Sequence, residues 1–209
     1  MYASPETTGV CDNYCTRFEL PMAVPTMKFC SHCGSPRLEL RLPPGDTLPR
    51  YVCAECATIH YQNPKIVVGC LPEWEGRVLL CKRAIEPRYG LWTLPAGFME
   101  NEESASQGAA REALEEANAH VEIEDLYTVY SIPHISQVYM MFRAKLIDPN
   151  VSPGVESLEV KLVTEDEIPW DQIAFAMVRK TLEHYLEDRK RGAFVTRFGD
   201  IQKMVSGSK

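Results

Sequence analysis

The sequence predicts an α+β protein with a small accessory module at its N-terminal end. Three observations carry this. The 209 residues suit one ordinary domain with room for a small extra unit. Two Cys-x2-Cys knuckles fall 19 residues apart near the start, ahead of any long apolar pattern. After them, strand-like runs and helical patterns follow one another without the regular βαβ rhythm of a doubly wound sheet. Hydrophobic residues make up 45% and charged residues 24%, enough to bury a core. The longest apolar stretch, Ile66–Leu71, is far short of the roughly 18 residues of a membrane span, so no membrane partner is expected.

The N-terminal module comes first. Cys30, Cys33, Cys53 and Cys56 have the spacing of a four-thiolate zinc site. Residues 27–63 read as a knuckle, a strand over 38–42, a Pro43-Pro44-Gly45 turn, a second strand and the second knuckle. So short a segment cannot bury a sufficient core, and zinc would supply its stability. With all four positions filled by cysteine, no coordination place is left for water, which makes the zinc structural. Five cations against three carboxylates between Lys28 and Lys65 are too slight an excess for a nucleic-acid surface.

Cys70 and Cys81 lie in apolar runs and read as free buried thiols, while Cys11 and Cys15 have no partner pair. Thiolate-bound zinc and unpaired cysteines favour a reducing compartment. Residues 1–26 carry neither a secretory nor a transit pattern. They read as a disordered extension or as an upstream start codon taken too early, and the expected location is cytoplasmic.

The main domain is expected over 64–190. Residues 66–71 and 78–81 form strands joined across a Glu73–Gly76 turn, with a third short strand over 91–95. A helix over 103–117 follows, then strands at 121–132, 136–147 and 157–163. Val138–Ala144 does not alternate cleanly, as expected of a strand buried on both faces. Ile173, Met177, Val178, Leu182, Tyr185 and Leu186 recur at helical spacing, giving a final helix over 174–190. Its basic end, Arg189-Lys190-Arg191, complements the helix dipole and is read as solvated. Residues 191–209 lack a pattern and are read as a tail.

The chemistry concentrates in one helix. Six carboxylates and a single arginine lie between Gly97 and Ala119, five of the seven net negative charges of the chain. At about 100° per residue, Glu112, Glu115 and Glu116 share an arc about 100° wide. Ala110, Ala113, Leu114 and Ala117 face another way and form the expected packing face. Like charges at i,i+3 and i,i+4 destabilise a helix, and here they sit in its C-terminal half, where the dipole disfavours them. A hard divalent cation held by carboxylate oxygens, Mg²⁺ or Mn²⁺, explains the pattern better than an acidic surface.

The arrangement Gly97-x5-Glu103-x7-Arg111-Glu112-Ala113-x-Glu115-Glu116-x-Asn118-Ala119 resembles the Nudix box, the signature of the Nudix hydrolases. The resemblance implies a mixed β-sheet sandwiched between helices behind the zinc ribbon. It implies that Glu112, Glu115 and Glu116 bind the catalytic metals, helped by a backbone carbonyl near Ala96–Gly97. Gly97, Glu103 and Arg111 would be structural, the last two as an ion pair. Glu115 is a candidate base. Glu156 or Glu159 is either a late carboxylate reaching the site or a surface charge. Asn118 replaces the family's glycine and is the next most tolerant residue of left-handed backbone.

A ribbon followed by His60–Lys65 and Gly90–Gly97 is similar to a ribbon-bearing Nudix subgroup. One branch, the NADH pyrophosphatases that also remove NAD caps from RNA, carries a Ser-Gln-Pro-Trp-Pro-Phe-Pro motif that this chain lacks. Ser131–Tyr139 instead looks more like the plant FAD pyrophosphatases and their bacterial relatives, which also accept ADP-ribose. The resemblance therefore implies Mg²⁺-dependent hydrolysis of FAD or ADP-ribose to AMP plus the phosphorylated remainder. NADH or NAD-capped RNA is the alternative substrate, and a non-catalytic ligand-sensing module the alternative of another class. Trp92 and Tyr139 are core aromatics or platforms for a substrate ring, and His134 is a loop residue or a substrate contact. The partner is a small dinucleotide, and the family admits a homodimer.

Overall fold

The computed structural model describes residues 27–202. The readings of residues 1–26, with Cys11 and Cys15, and of 203–209 lie outside them. The chain divides into two compact units between Tyr61 and Gln62.

In the first unit, β1 (Leu38–Arg41), β2 (Arg50–Cys53) and β3 (Ile59–His60) form an antiparallel sheet in that order. Its buried apolar set is small: Cys30, Val52 and Cys53, with Leu40, Leu42 and Leu48 exposed. The Arg50 side chain closes the β1–β2 loop on Asp46 at 2.9 Å.

The second unit is built on β4 (Lys65–Trp74), β5 (Arg77–Arg83), β6 (Trp92–Thr93), β7 (Ala96–Phe98), β8 (Val121–Ile132), β9 (Gln137–Leu146), β10 (Ser157–Val163) and β11 (Arg197–Asp200). Helix α1 (Ala105–Ala117) follows β7, and α2 (Ala176–Arg191) precedes β11. The sheet runs β10-β5-β4-β9-β8-β11, with β6 on β5 and β7 on β4. It is mixed: β4 with β9 and β8 with β11 are parallel, and the other pairs antiparallel.

Each face of this sheet carries its own core, one under each helix. Cys70, Leu79, Cys81, Phe142 and Ala144 pack with Ala109, Ala113 and Ala117 of α1. Leu71, Val78, Leu80, Trp92, Tyr127, Tyr130 and Met141 pack with Met177, Val178, Leu182 and Tyr185 of α2. Neighbouring residues Leu79 and Leu80, or Met141 and Phe142, serve opposite cores, so β5 and β9 read as continuous apolar runs. The mixed sheet between two helices is the fold the sequence led us to expect. Among the described residues, no helix is long and apolar enough to cross a membrane.

Two local readings change. Leu114 is exposed, whereas Ala109, Ala113 and Ala117 are fully buried. The packed face of α1 is centred nearer Ala109 and takes in Glu112 and Glu116, so the acidic and packing faces overlap. Residues 192–200 hold more order than their sequence suggests. Phe194 stacks on Tyr185, with ring centroids 5.8 Å apart, and β11 pairs with β8 from Arg197↔Thr128 to Asp200↔Ser131. At the basic end of α2, Lys190 and Arg191 are exposed, as the sequence suggests, while half-buried Arg189 donates to Gly76 O and pairs with Glu165.

Candidate active site

Helix α1 starts at a capping box. Gln107 N donates to Ser104 Oγ at 3.2 Å, and Ser104 N donates to Gln107 Oε1 at 2.8 Å. Just before it, Glu103 accepts Glu100 N at 2.7 Å and two bonds from Arg111, Nε to Oε2 at 3.0 Å and Nη2 to Oε1 at 2.8 Å. The paired guanidinium holds the Glu103 carboxyl down to about 2. Arg111 Nη2 also reaches Phe98 O at 3.1 Å, which ties the strand before the loop to the helix after it. Gly97 brings the β7 backbone so close to α1 that a Cβ there would lie 2.5 Å from Glu112 Cδ.

The three box glutamates occupy different environments. Glu112 and Glu116 are 8% and 6% exposed, one turn apart against the sheet, while Glu115 is exposed. Burial pushes Glu116 up to about 8, and the charge of Glu112 adds to it. Burial also raises Glu112, against the pull of Arg111. Arg111 Nη1 bridges Glu112 Oε1 at 2.7 Å and Glu115 Oε2 at 2.9 Å. The three carboxylates do not gather as closely as the four cysteines do. Two buried like charges with hard oxygen donors nonetheless fit a divalent cation that would draw Glu112 and Glu115 off Arg111.

The two late carboxylates part company. Glu156 O accepts Ala84 N at 2.8 Å, and the charge of Glu156 is felt at both Glu112 and Glu116. Glu159 pairs with Lys161 at 2.7 Å and Lys82 at 3.7 Å, lining a cavity of about 270 Å³ with Trp92. Trp92 is 5% exposed, and its ring lies beneath both lysines. Tyr139 is half-buried in the α2-side core, and His134 Nδ1 and Gln137 Oε1 are buried without a hydrogen-bond partner among the described residues.

Sequence reasoning missed Arg83. Its charge acts on Glu116 and Tyr139, and its guanidinium lies 5.1 Å over the Phe175 ring. A lone arginine at a strand end carries no motif signal.

In the first unit, the four cysteine sulfurs all lie within 4.8 Å of one another, the one such group of three or more metal-ligating side chains among the described residues. Cys30–Cys56 and Cys33–Cys53 Sγ separations are 3.7 and 3.6 Å. Sulfurs about 2.3 Å from a tetrahedral zinc stand about 3.8 Å apart. The Thr58 hydroxyl, 3.1 Å from Cys56 Sγ, draws that thiol down to about 6 and favours the thiolate.

Residues 28–62 match the Nudix N-terminal zinc-ribbon family model, and residues 63–184 match the NUDIX domain. The chain belongs to the Nudix family. A NUDIX hydrolase from Nitrosomonas europaea, known from its crystal structure, is 64% identical with a TM-score of 0.82, covering 85% of this chain and 100% of that one. The NAD-capped RNA hydrolase NudC of Vibrio vulnificus (strain CMCP6) is 30% identical over 172 residues, 78% of this chain and 62% of that protein. An ADP-ribose pyrophosphatase of Methanocaldococcus jannaschii is 27% identical over 115 residues, 52% of this chain and 67% of that protein. The chain spans 53% to 64% of the length of the first curated relatives it matches.

Proposed function

We propose that this chain hydrolyses the pyrophosphate bond of a nucleoside diphosphate linked to a second group, with FAD or ADP-ribose as the leading substrates. The products are AMP and the phosphorylated remainder, FMN in the case of FAD. The observation that carries this reading is the pair Glu112 and Glu116, buried one turn apart on α1 with exposed Glu115 beside them.

In the reaction, a water oxygen bonds to one phosphorus of the pyrophosphate, the bond from that phosphorus to the bridging oxygen breaks, and the bridging oxygen leaves with the second phosphate. Glu112, Glu115 and Glu116 would hold Mg²⁺ or Mn²⁺, which would supply charge neutralisation and make a water more acidic. Glu115, the solvent-facing member, takes the proton of the attacking water. Glu103 and Arg111 hold the loop and helix in register. Glu156 supplies a late carboxylate, whereas Glu159 is spent on Lys82 and Lys161. Tyr139 is a platform for a substrate ring. Trp92, covered by two lysines, contributes a wall of their cavity. Zinc on Cys30, Cys33, Cys53 and Cys56 is structural, and the enzyme works in the cytoplasm.

A second reading, hydrolysis of NADH or removal of NAD caps from RNA, is favoured by the likeness to a NudC protein over 78% of the chain. AMP release from FAD, ADP-ribose, NAD, NADH and NAD-capped RNA, each with Mg²⁺ or Mn²⁺, separates the two. Preference for FAD or ADP-ribose supports the first, and preference for NADH or capped RNA the second. Folded, zinc-loaded protein that turns over none of them points to a ligand-sensing module.

A further inference from the structure

Asn118 stands where the Nudix pattern has glycine, at φ 48° and ψ 32°, a left-handed conformation that glycine adopts freely. The backbone alone therefore gives no reason for asparagine. The side chain does: Nδ2 donates to Ser152 O at 3.0 Å, lies 3.1 Å from Ser152 Oγ, and reaches Pro153 O at 3.4 Å. All three belong to one segment far along the chain.

That segment is laid across the end of α1. Ser152 N donates to Ala117 O at 3.0 Å and Gly154 N to Glu116 O at 2.9 Å, satisfying carbonyls that the helix terminus leaves open. Gly154 presses so close that a Cβ there would collide with Glu115 O. Ser157 N then turns back to Gly154 O at 3.1 Å, and Glu156 O accepts Ala84 N at 2.8 Å, pinning the far side to the end of β5. Residues 152–157 thus form a strap between the helix that carries the box glutamates and the strand end at Arg83. Glu156 rides on it, between Gly154, which is bonded to the Glu116 carbonyl, and its own carbonyl bond to Ala84 N.

We propose that Asn118 is a positioning residue: by tying Ser152 and Pro153 to the end of α1, it fixes Glu156 as the fourth carboxylate of the divalent-cation site. This rests on the reading of Glu112, Glu115 and Glu116 as cation-binding. The side-chain amide of Asn118 replaces backbone freedom with three contacts that set where the strap lies.

The test uses the full, zinc-loaded chain and Mn²⁺ alone, with free Mn²⁺ followed by electron paramagnetic resonance in the absence of substrate. Asn118→Gly keeps the left-handed backbone without strain and removes only the amide. We expect it to fold and melt like the parent and to bind Mn²⁺ about tenfold more weakly, as an outer-shell loss does. Glu156→Gln should weaken Mn²⁺ to the same degree, and the double variant no further than either single one. Unchanged Mn²⁺ affinity in Asn118→Gly, or losses that multiply in the double variant, would overturn the proposal. Parent protein that binds Mn²⁺ tightly but hydrolyses nothing defeats the hydrolase reading and leaves this one standing on the binding data. Parent protein that binds no Mn²⁺ defeats both.

Discussion

Gly97 lies directly against the carboxylate of Glu112, with room for no side chain between strand and helix: a Cβ would stand 2.5 Å from both Glu112 Cδ and Oε2. The obstructed group is the end of a flexible side chain, so Gly97→Ala should displace the carboxylate and leave the fold intact. Turnover is expected to fall about 100-fold, the effect of an ångström-scale misplacement of a reacting group. Gly154→Ala differs in kind, because its Cβ meets the backbone carbonyl of Glu115. That variant should lose about 3 kcal/mol of stability, as overpacking against main chain does. Denaturant unfolding beside initial rates distinguishes the two, and equal stability losses would contradict the contrast.

Burial of Glu116 makes the stability of the magnesium-free protein depend on pH in an unusual direction. Its carboxyl is pushed up to about 8 by burial and then by Glu112, against an ordinary value of 4.5, and Glu112 moves the same way. Between those values the folded chain keeps a proton that the unfolded chain has released, so folding weakens as pH rises through the window. Glu116→Gln, which cannot titrate, gives the baseline. The melting midpoint of the parent relative to this variant should fall between about pH 5 and pH 8. Saturating Mg²⁺ should recover more at the upper end. A difference that is flat with pH would show that Glu116 is not held in an apolar setting.

The strands and helices were legible where burial leaves a period or a run. The apolar runs of β4, β5 and β9 and the helical spacing of α2 fall where expected, because each serves a core on the sheet. Helix α1 was placed within two residues, with Ser104 acting as its cap instead of lying inside it. What sequence spacing cannot carry is tertiary contact. Ala109, in the middle of the alanine face, and not Leu114, is buried because β4 approaches closely, with Val68 against Gly108. The exposure of Glu115 and burial of its two neighbours depend on that same approach. β11 has only four residues, and its anchor, Asp188, looks in sequence like one more charge on a solvated helix.

Arg111 is the cation of the site in this structure, shared among Glu103, Glu112 and Glu115. Arg111→Ala leaves the buried Glu112 unpaired and should cost about 2 kcal/mol, below the range for a fully buried pair because 26% of the arginine side chain is exposed. Arg111→Lys should recover only part of this, since a single ammonium cannot reproduce the two parallel bonds to Glu103. Mg²⁺ should stabilise the alanine variant more than it stabilises the parent, having no arginine to displace. Thermal shifts across a Mg²⁺ series decide the point, and an equal shift in both proteins would place the cation away from Glu112 and Glu115.

Among the described residues the buried apolar set of the ribbon is only Cys30, Val52 and Cys53, so a metal on the four cysteines would carry much of its stability. Cys56→Ser should lose bound zinc and with it the chain order of 28–61, since structural zinc contributes about 10 kcal/mol or more of folding free energy in such modules. The sheet unit has its own two cores and should keep its fold. Amide resonance dispersion assigned by unit, with metal analysis on the same sample, tests this. Retained dispersion in the ribbon without zinc would show that the module is held by other means.

Asp188 is 1% exposed and accepts two bonds from Arg197 and a third from Tyr127 OH at 2.8 Å, so the C-terminal strand is locked to α2 and β8 by one buried carboxylate. The arginine holds that carboxyl down to about 2, against an ordinary 3.8. The folded chain therefore stays ionised where the unfolded chain takes up a proton, and the stability this contributes above the ordinary value is lost as pH falls toward 2. Arg197→Ala strands the charge in the interior and should cost about 3 kcal/mol near neutrality. Arg197→Ala combined with Asp188→Asn should be less damaging than the sum, because the second change removes the unpaired charge that the first creates. Urea unfolding of the two single variants and the double variant measures that coupling. Strict additivity would mean that β11 is held by Phe194 packing and strand pairing, with the ion pair incidental.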